Sequence, residues 1–216
     1  MRRKVTVIDL THSIHAGTPV YPGTESPRFS TPCTIAQNGF TERKITLFSH
    51  TGTHMDAPAH IIHGARTLDQ LSVDHFCGQA CVVDLKSMNG RIIDIAVLKP
   101  CEDLMRQVDF VLLNTGWNDL WNDEGYFKGY PVLSPEAAEW ISEFGLKGLG
   151  TDMISVDREG TPDFPVHRIL LEQNILIIEN LTNLEALPRV AFSFSCFPLK
   201  FENADGSPVR AIAVVP

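Results

Sequence analysis

Four side chains of the kinds that bind metal ions crowd one short run, His50-Thr51-Gly52-Thr53-His54-Met55-Asp56-Ala57-Pro58-Ala59-His60. They are His50, His54, Asp56 and His60, all at even positions. An extended chain would turn them to one face and Thr51, Thr53, Met55, Ala57 and Ala59 to the other. A helix would also pair His50 with His54, but Gly52, two threonines and Pro58 disfavour one. A straight strand fails too, because a rise of ~3.3 Å per residue puts His50 and His54 ~13 Å apart, too far for one ion. The chain must therefore bend, and Gly52 is the residue that bends at least cost. Pro58 must then re-aim the chain so that His60 faces the same site. Two imidazoles and a carboxylate suit Zn²⁺, Mn²⁺ or Fe²⁺. Such an ion makes its bound water acidic enough to attack near neutral pH. His60 is then an unliganded acid or base, a task that suits an imidazole of pKa about 6.5. A single histidine is ordinarily a surface or satisfied core residue, but four ionisable groups on so apolar and bent a stretch fit a metal centre better.

Two further residues belong with this group. Glu179 follows the apolar run Ile175-Leu176-Ile177-Ile178, and a carboxylate there is costly to bury unless it is paired or metal-bound. His167 lies on a helix just before that run. Alone it reads as bland, but with Glu179 it would bind a second ion, with Asp56 bridging the two. Asp152 and Asp157 read first as turn and cap residues, with orientation of the ligands as the alternative. His12, His15, His63 and His75 have no comparable context and are assigned nothing.

The elements that must position these groups alternate in type. Strands are expected at Val5–Asp9, Arg43–His50, Ala80–Leu85, Phe110–Asn114, Gly148–Thr151, Ile175–Glu179, Val190–Phe197 and Val209–Val215. A helix from Ser134 to Phe144 has a serine cap, Pro135 at its first position and Gly145 as its stop. A second is expected at Pro165–Gln173, and a third near Ile92–Leu98 or just after Pro100. Helix followed by strand, twice, indicates α/β units. Two stretches are loop-like: the proline-rich Thr18–Pro32, and Thr115–Tyr130 with Trp117, Trp121, Tyr126, Phe127 and Tyr130. The second is either a lid or a loop anchored by its aromatics. Asp205-Gly206-Ser207-Pro208 reads as a turn between strands.

Composition narrows the function. The chain has 216 residues, which fits a single domain over 1–216. Its net charge of −8 argues against a grip on nucleic acid or anionic lipid. Met1-Arg2-Arg3-Lys4 is basic, but Asp9 and His12 interrupt any secretory core after it. No apolar run reaches membrane-spanning length. The five scattered cysteines read as free thiols in a reducing compartment, so a cytoplasmic location is expected.

The run His50–His60 resembles the H-x-G-T-H-x-D-x-P-x-H signature of the cyclase family of metal-dependent hydrolases, which includes bacterial kynurenine formamidase and isatin hydrolase. Further segments are similar to that family: Asp9-Leu10-Thr11 with Thr18–Gly23, Gly150-Thr151-Asp152 with Ser155-Val156-Asp157, Ile177–Leu181, and Asp205–Ala211. The resemblance implies a compact α/β domain of the swivelling β/α type, with a mixed sheet and a few flanking helices. It implies His50, His54 and Asp56 on one ion, Asp56, His167 and Glu179 on a second, and His60 as proton donor and acceptor. It places Tyr21 at the substrate, where the formamidases carry Trp. Trp117 is expected there also, either in its own subunit or in a neighbour's, since the family forms dimers or tetramers.

The expected function is thus hydrolysis of a small amide, formamide or lactam, of the N-formylkynurenine type, with Zn or Mn as one or two ions per subunit. Two alternatives are a non-haem Fe(II) oxygenase built on His54 and Asp56, and a non-catalytic metal-binding protein with a closed coordination shell.

Overall fold

The structure is a computed structural model that describes residues 5–215. The basic run Met1-Arg2-Arg3-Lys4 therefore lies outside the described residues. Twelve strands follow one another: β1 (Thr6–Asp9), β2 (Arg28–Cys33), β3 (Glu42–Thr46), β4 (His54–Asp56), β5 (Cys77–Asp84), β6 (Ile92–Ile93), β7 (Phe110–Asn114), β8 (Val132–Leu133), β9 (Gly148–Thr151), β10 (Leu176–Glu179), β11 (Phe192–Pro198) and β12 (Gly206–Val215). Eight of them form one sheet in the order β1-β12-β11-β5-β7-β9-β10-β4. The first part of β12 also pairs with β4, Gly206 opposite Asp56 and Pro208 opposite His54, so the sheet closes on itself. Within this sheet the pairs β5–β7, β7–β9 and β9–β10 are parallel and the others antiparallel.

The parallel strands are apolar on both faces because both faces are covered. Phe110, Leu112, Leu176 and Ile178 point inward with Phe194, Val82 and Met55. Val111, Leu113, Leu149 and Ile177 face outward, under Ala137, Ala138 and Ile141 of helix Pro135–Ser142 and Val166, Leu170 and Leu171 of helix Pro165–Glu172. The inside is tight. A Cβ on Gly150 would lie 2.5 Å from Leu112 Cδ2 and 2.7 Å from Leu181 Cδ1.

The mixed α/β architecture is the expected one, with differences in detail. Helix Pro135–Ser142 is capped by Ser134, whose hydroxyl accepts from Ala137 N–H at 3.1 Å. The expected third helix is real on both sides of Pro100, as short turns Ile95–Leu98 and Glu102–Met105 joined by a 3-10 turn. The expected strand Arg43–His50 ends at Thr46, because the chain turns at Ser49 and His50. The stretch Thr18–Pro32 is not all loop, since it holds most of β2, which pairs with β3 as a separate, largely exposed ribbon with an irregularity between Ser30 and Cys33.

The aromatic stretch is anchored rather than lid-like. Trp117, Tyr126 and Tyr130 are all buried. Asp152 accepts from Thr115 N–H, from the Thr115 hydroxyl at 2.6 Å and from Trp117 N–H at 3.0 Å. The indole N–H of Trp117 donates to Tyr126 O at 2.8 Å.

Candidate metal centre

The histidine-rich run is folded as its residue types require. Gly52 sits at φ +67°, the left-handed region, and breaks the chain between His50 and strand β4. Thr53 clamps the bend: its hydroxyl donates to Asn180 O at 2.6 Å and accepts from His12 N–H at 2.9 Å. Pro58 opens a 3-10 turn, Pro58–His60, that swings His60 back over the site. Its ring centroid lies 3.9 Å from that of His50 and 6.1 Å from that of His167. Glu179 arrives from β10 directly opposite His54, and helix Pro165–Glu172 delivers His167.

These side chains converge around one carboxylate. Asp56 Oδ1 lies 2.7 Å from His50 Nδ1 and 3.4 Å from His54 Nε2. Asp56 Oδ2 lies 3.6 Å from His167 Nε2. Glu179 spans the same gap, with Oε2 3.5 Å from His54 Nε2 and Oε1 3.5 Å from His167 Nε2. Asp56 is 1% exposed, yet its Oδ2 has no hydrogen-bond partner. A buried, unpaired carboxylate oxygen is costly, and a cation is what would offset it. By donor type, His50, His54, Asp56, His167 and Glu179 could hold a divalent cation around Asp56. Among the described residues, ligand atoms come within 4.8 Å of one another in three groups: His50, His54 and Asp56; Asp56, His60 and His167; and His50, His60 and Asp205; the expected set Asp56, His167 and Glu179 is not one of them.

Each ligand imidazole is held from behind. His54 Nδ1 meets Gly52 O at 2.9 Å, and the Asn180 amide donates to the same oxygen at 2.8 Å. His167 Nδ1 meets Asp157 Oδ2 at 2.7 Å, and Asp157 also accepts from the N–H groups of Val166 and His167 at the start of their helix. His50 Nε2 meets Asp205 Oδ2 at 3.1 Å. Asp157 thus caps its helix and holds the His167 ring, whereas Asp152 serves the aromatic loop.

The electrostatics follow from burial and from the company each group keeps. Burial opposes charge on Asp56, but His50, His167 and His54 outweigh it and hold the carboxyl well below its usual value. Burial works against a charged His50, yet Asp56 and Asp205 raise it to about 10. His167 is raised as well, by Asp157, Asp56 and Glu179 against its burial. Glu179 is pushed up by burial and by the negative charge of Asp56. His60 is different: burial lowers it to about 4, which leaves it neutral at pH 7.

A cavity of about 230 Å³ opens onto the ligands, walled by Tyr21, Thr24, Phe48, Ile154, Ser155 and Phe164. Tyr21, expected at the substrate, is on this wall. Trp117, expected beside it, is not: it is 9% exposed and packs into the outer core with Arg91 over its ring. Phe48, Phe164 and Asp205 were not foreseen. Phe164 carries a signal of its own, a left-handed φ of 44° immediately before Pro165. Such backbone in a non-glycine residue gathers at functional sites.

The sequence profile of the Cyclase family, described as "Putative cyclase", matches residues 8–158. The chain belongs to this family. Among its relatives, a kynurenine formamidase of Bacillus cytotoxicus is 30% identical over 206 residues, covering 95% of each chain. One of Geobacillus thermodenitrificans is 31% identical and covers 94% of this chain and 95% of the relative. Among solved structures, an isatin hydrolase bound to the product analogue thioisatinate superposes with a TM-score of 0.88 at 25% identity, covering 98% of this chain and 93% of that one. This cyclase-family chain is an enzyme, a metal-dependent hydrolase, and the His50–Glu179 cluster is its candidate metal centre.

Proposed function

We propose that the protein hydrolyses a small aryl formamide of the N-formylkynurenine type, with isatin-like lactams and other small amides as the wider substrate class. The observation that carries the reading is the buried, unpartnered Oδ2 of Asp56 between two histidine–carboxylate sets, at the floor of an aromatic-walled cavity. His50, His54 and Asp56 would hold one Zn²⁺ or Mn²⁺, and His167, Glu179 and the second oxygen of Asp56 another. A divalent ion here supplies an acidified water and an electrophile for the developing oxyanion. Neutral His60 takes the proton from the attacking nucleophile and returns it to the leaving nitrogen. Tyr21, Phe48 and Phe164 receive the aromatic body of the substrate and exclude water from it.

Two alternatives fit less well. A facial-triad oxygenase uses a single carboxylate ligand, whereas Asp56 and Glu179 both face the ligand imidazoles. A structural ion would have a closed shell, whereas the cavity opens onto these ligands.

The reading extends to a cytoplasmic enzyme of tryptophan breakdown that works as a homodimer. Support comes from free cysteines, from the absence of any helix long and apolar enough to cross a membrane among the described residues, and from the exposed ribbon β2–β3, which carries Ile45 and leads to Phe48 on the cavity wall. The test is turnover of N-formylkynurenine by metal-stripped protein with Zn²⁺ or Mn²⁺ restored. Metal-dependent cleavage is expected. No cleavage by protein shown to carry its metal would remove this substrate and turn the search to lactams.

A further inference from the structure

Asp205, at a bend, and Gly206, the first residue of β12, meet the metal segment in four ways, and the expected turn Asp205–Pro208 is in fact mostly strand. Gly206 is opposite Asp56 in the pairing of β12 with β4. Asp205 O accepts from Ala57 N–H at 2.9 Å. Asp205 Oδ2 lies 3.1 Å from His50 Nε2 and 4.0 Å from His60 Nδ1. The His50 ring lies against the bare Cα of Gly206, where a Cβ would come within 2.4 Å of His50 Cε1. The bend is itself fixed, because Ala204 N–H donates to Asp69 Oδ1 at 3.2 Å and Ala204 O accepts from Leu68 N–H at 2.9 Å.

These contacts bear on which nitrogen of His50 faces the cluster. An imidazole can offer either nitrogen to an ion, and its outer partner decides which. With Nε2 on Asp205 and the ring face on Gly206, Nδ1 is the nitrogen that meets Asp56. His54 and His167 are held in the opposite sense, with Nδ1 on Gly52 O and Asp157 and Nε2 inward.

We propose that Asp205 is a positioning residue of the metal centre: its carboxylate and the bare face of Gly206 fix the His50 ring so that it ligates through Nδ1. The same carboxylate faces His60, so one residue orients a ligand and borders the acid–base group. This inference rests on the hydrolase reading for its ion, but its test needs no substrate.

The test is metal affinity, measured by chelator competition with Zn²⁺, together with the visible spectrum of the Co²⁺ form. Loss of an outer-shell partner weakens metal binding by about 10–100-fold, and that loss is expected for Asp205→Ala. Asp205→Asn should fall between it and the wild type, since an amide oxygen still accepts from Nε2 but carries no charge. The Co²⁺ spectrum of Asp205→Ala should change as His50 reorients. Glu202→Gln removes a charge from the same loop and should change neither reading. Equal melting temperatures of the metal-free proteins would show that the fold is intact. Wild-type affinity and an unaltered Co²⁺ spectrum in Asp205→Ala would overturn the proposal, as would equal weakening in Glu202→Gln. Failure to cleave any formamide would leave this outcome untouched. A wild type that binds no ion would overturn the hydrolase reading and this inference together.

Discussion

Three histidines within one cluster are prepared for different tasks by what lies behind them. His54 and His167 are buried, each with one nitrogen bonded outward and the other facing a carboxylate. His60 lacks such an anchor; its nearest carboxylate, Asp205, stands 4.0 Å away. Its ring, depressed to about 4 by burial, stays neutral and borders the cavity. In the proposed reading the proton-transfer role falls to His60, the one without an anchor, and the other two hold the ion. The His60→Ala variant should lose about 10²–10⁴-fold in kcat while binding as much metal as the wild type. The check is kcat beside metal content by elemental analysis. Full turnover by a metal-loaded variant would remove His60 from the chemistry.

At the scale of elements, the histidine-rich segment brings its side chains together because it is broken in two places, at Gly52 and at Pro58. The left-handed φ of +67° at Gly52 costs an L-residue roughly 1–2 kcal/mol. A Cβ there would also press on Ile14 Cγ1 at 3.1 Å. Since Gly52 O holds the His54 ring, Gly52→Ala should lower both thermal stability and metal affinity. Gly64→Ala is the control, a position of similar φ, +75°, with open space around it, and it should lower stability alone. Unchanged metal affinity in Gly52→Ala would separate the bend from the centre. The need for that bend is readable in the sequence, because histidine spacing, ion size and strand rise are local facts. So are the serine cap of helix Pro135–Ser142 and the apolar runs of β7, β9 and β10. What stayed hidden depends on distant pairing. Nothing near Asp205 announces that Gly206 will lie opposite Asp56, so the segment reads only as a turn. Trp117 misleads for a related reason: an aromatic in a polar loop looks like a substrate contact until Asp152 and Tyr126 are seen to draw it into the core. Phe48 and Phe164 reach the cavity through tertiary placement that periodicity does not encode.

For the molecule as a whole, ionisable groups buried beside the sheet tie stability to pH. His12 is the clearest case away from the metal. Its ring stacks on Trp121 with centroids 4.0 Å apart, its Nε2 is buried without a hydrogen-bond partner, and burial lowers its pKa to about 4. An unfolded histidine titrates near 6.5. Between those values the unfolded chain binds a proton that the folded protein refuses, so stability falls as pH drops from about 6.5 to about 4 and loses nothing more from this group below that. The slope cannot exceed about 1.4 kcal/mol per pH unit, the limit for one proton, and remaining solvent contact at this half-buried ring reduces it. Asp152 works in the other direction. Burial raises it to about 6, against the hydrogen bonds from Thr115, Gly116 and Trp117, so its contribution falls as pH rises from about 4 toward 6. A single melting curve would mix the two. Comparison with His12→Phe separates them, because phenylalanine keeps the stack on Trp121 and cannot be protonated. With both proteins stripped of metal, the wild type should lose melting temperature relative to His12→Phe as pH is lowered from 7 to 4. At about 2–4 °C per kcal/mol for a chain of this size, the gap should widen by several degrees. A melting-temperature difference that stays constant across that range would show that His12 is not held neutral by the fold.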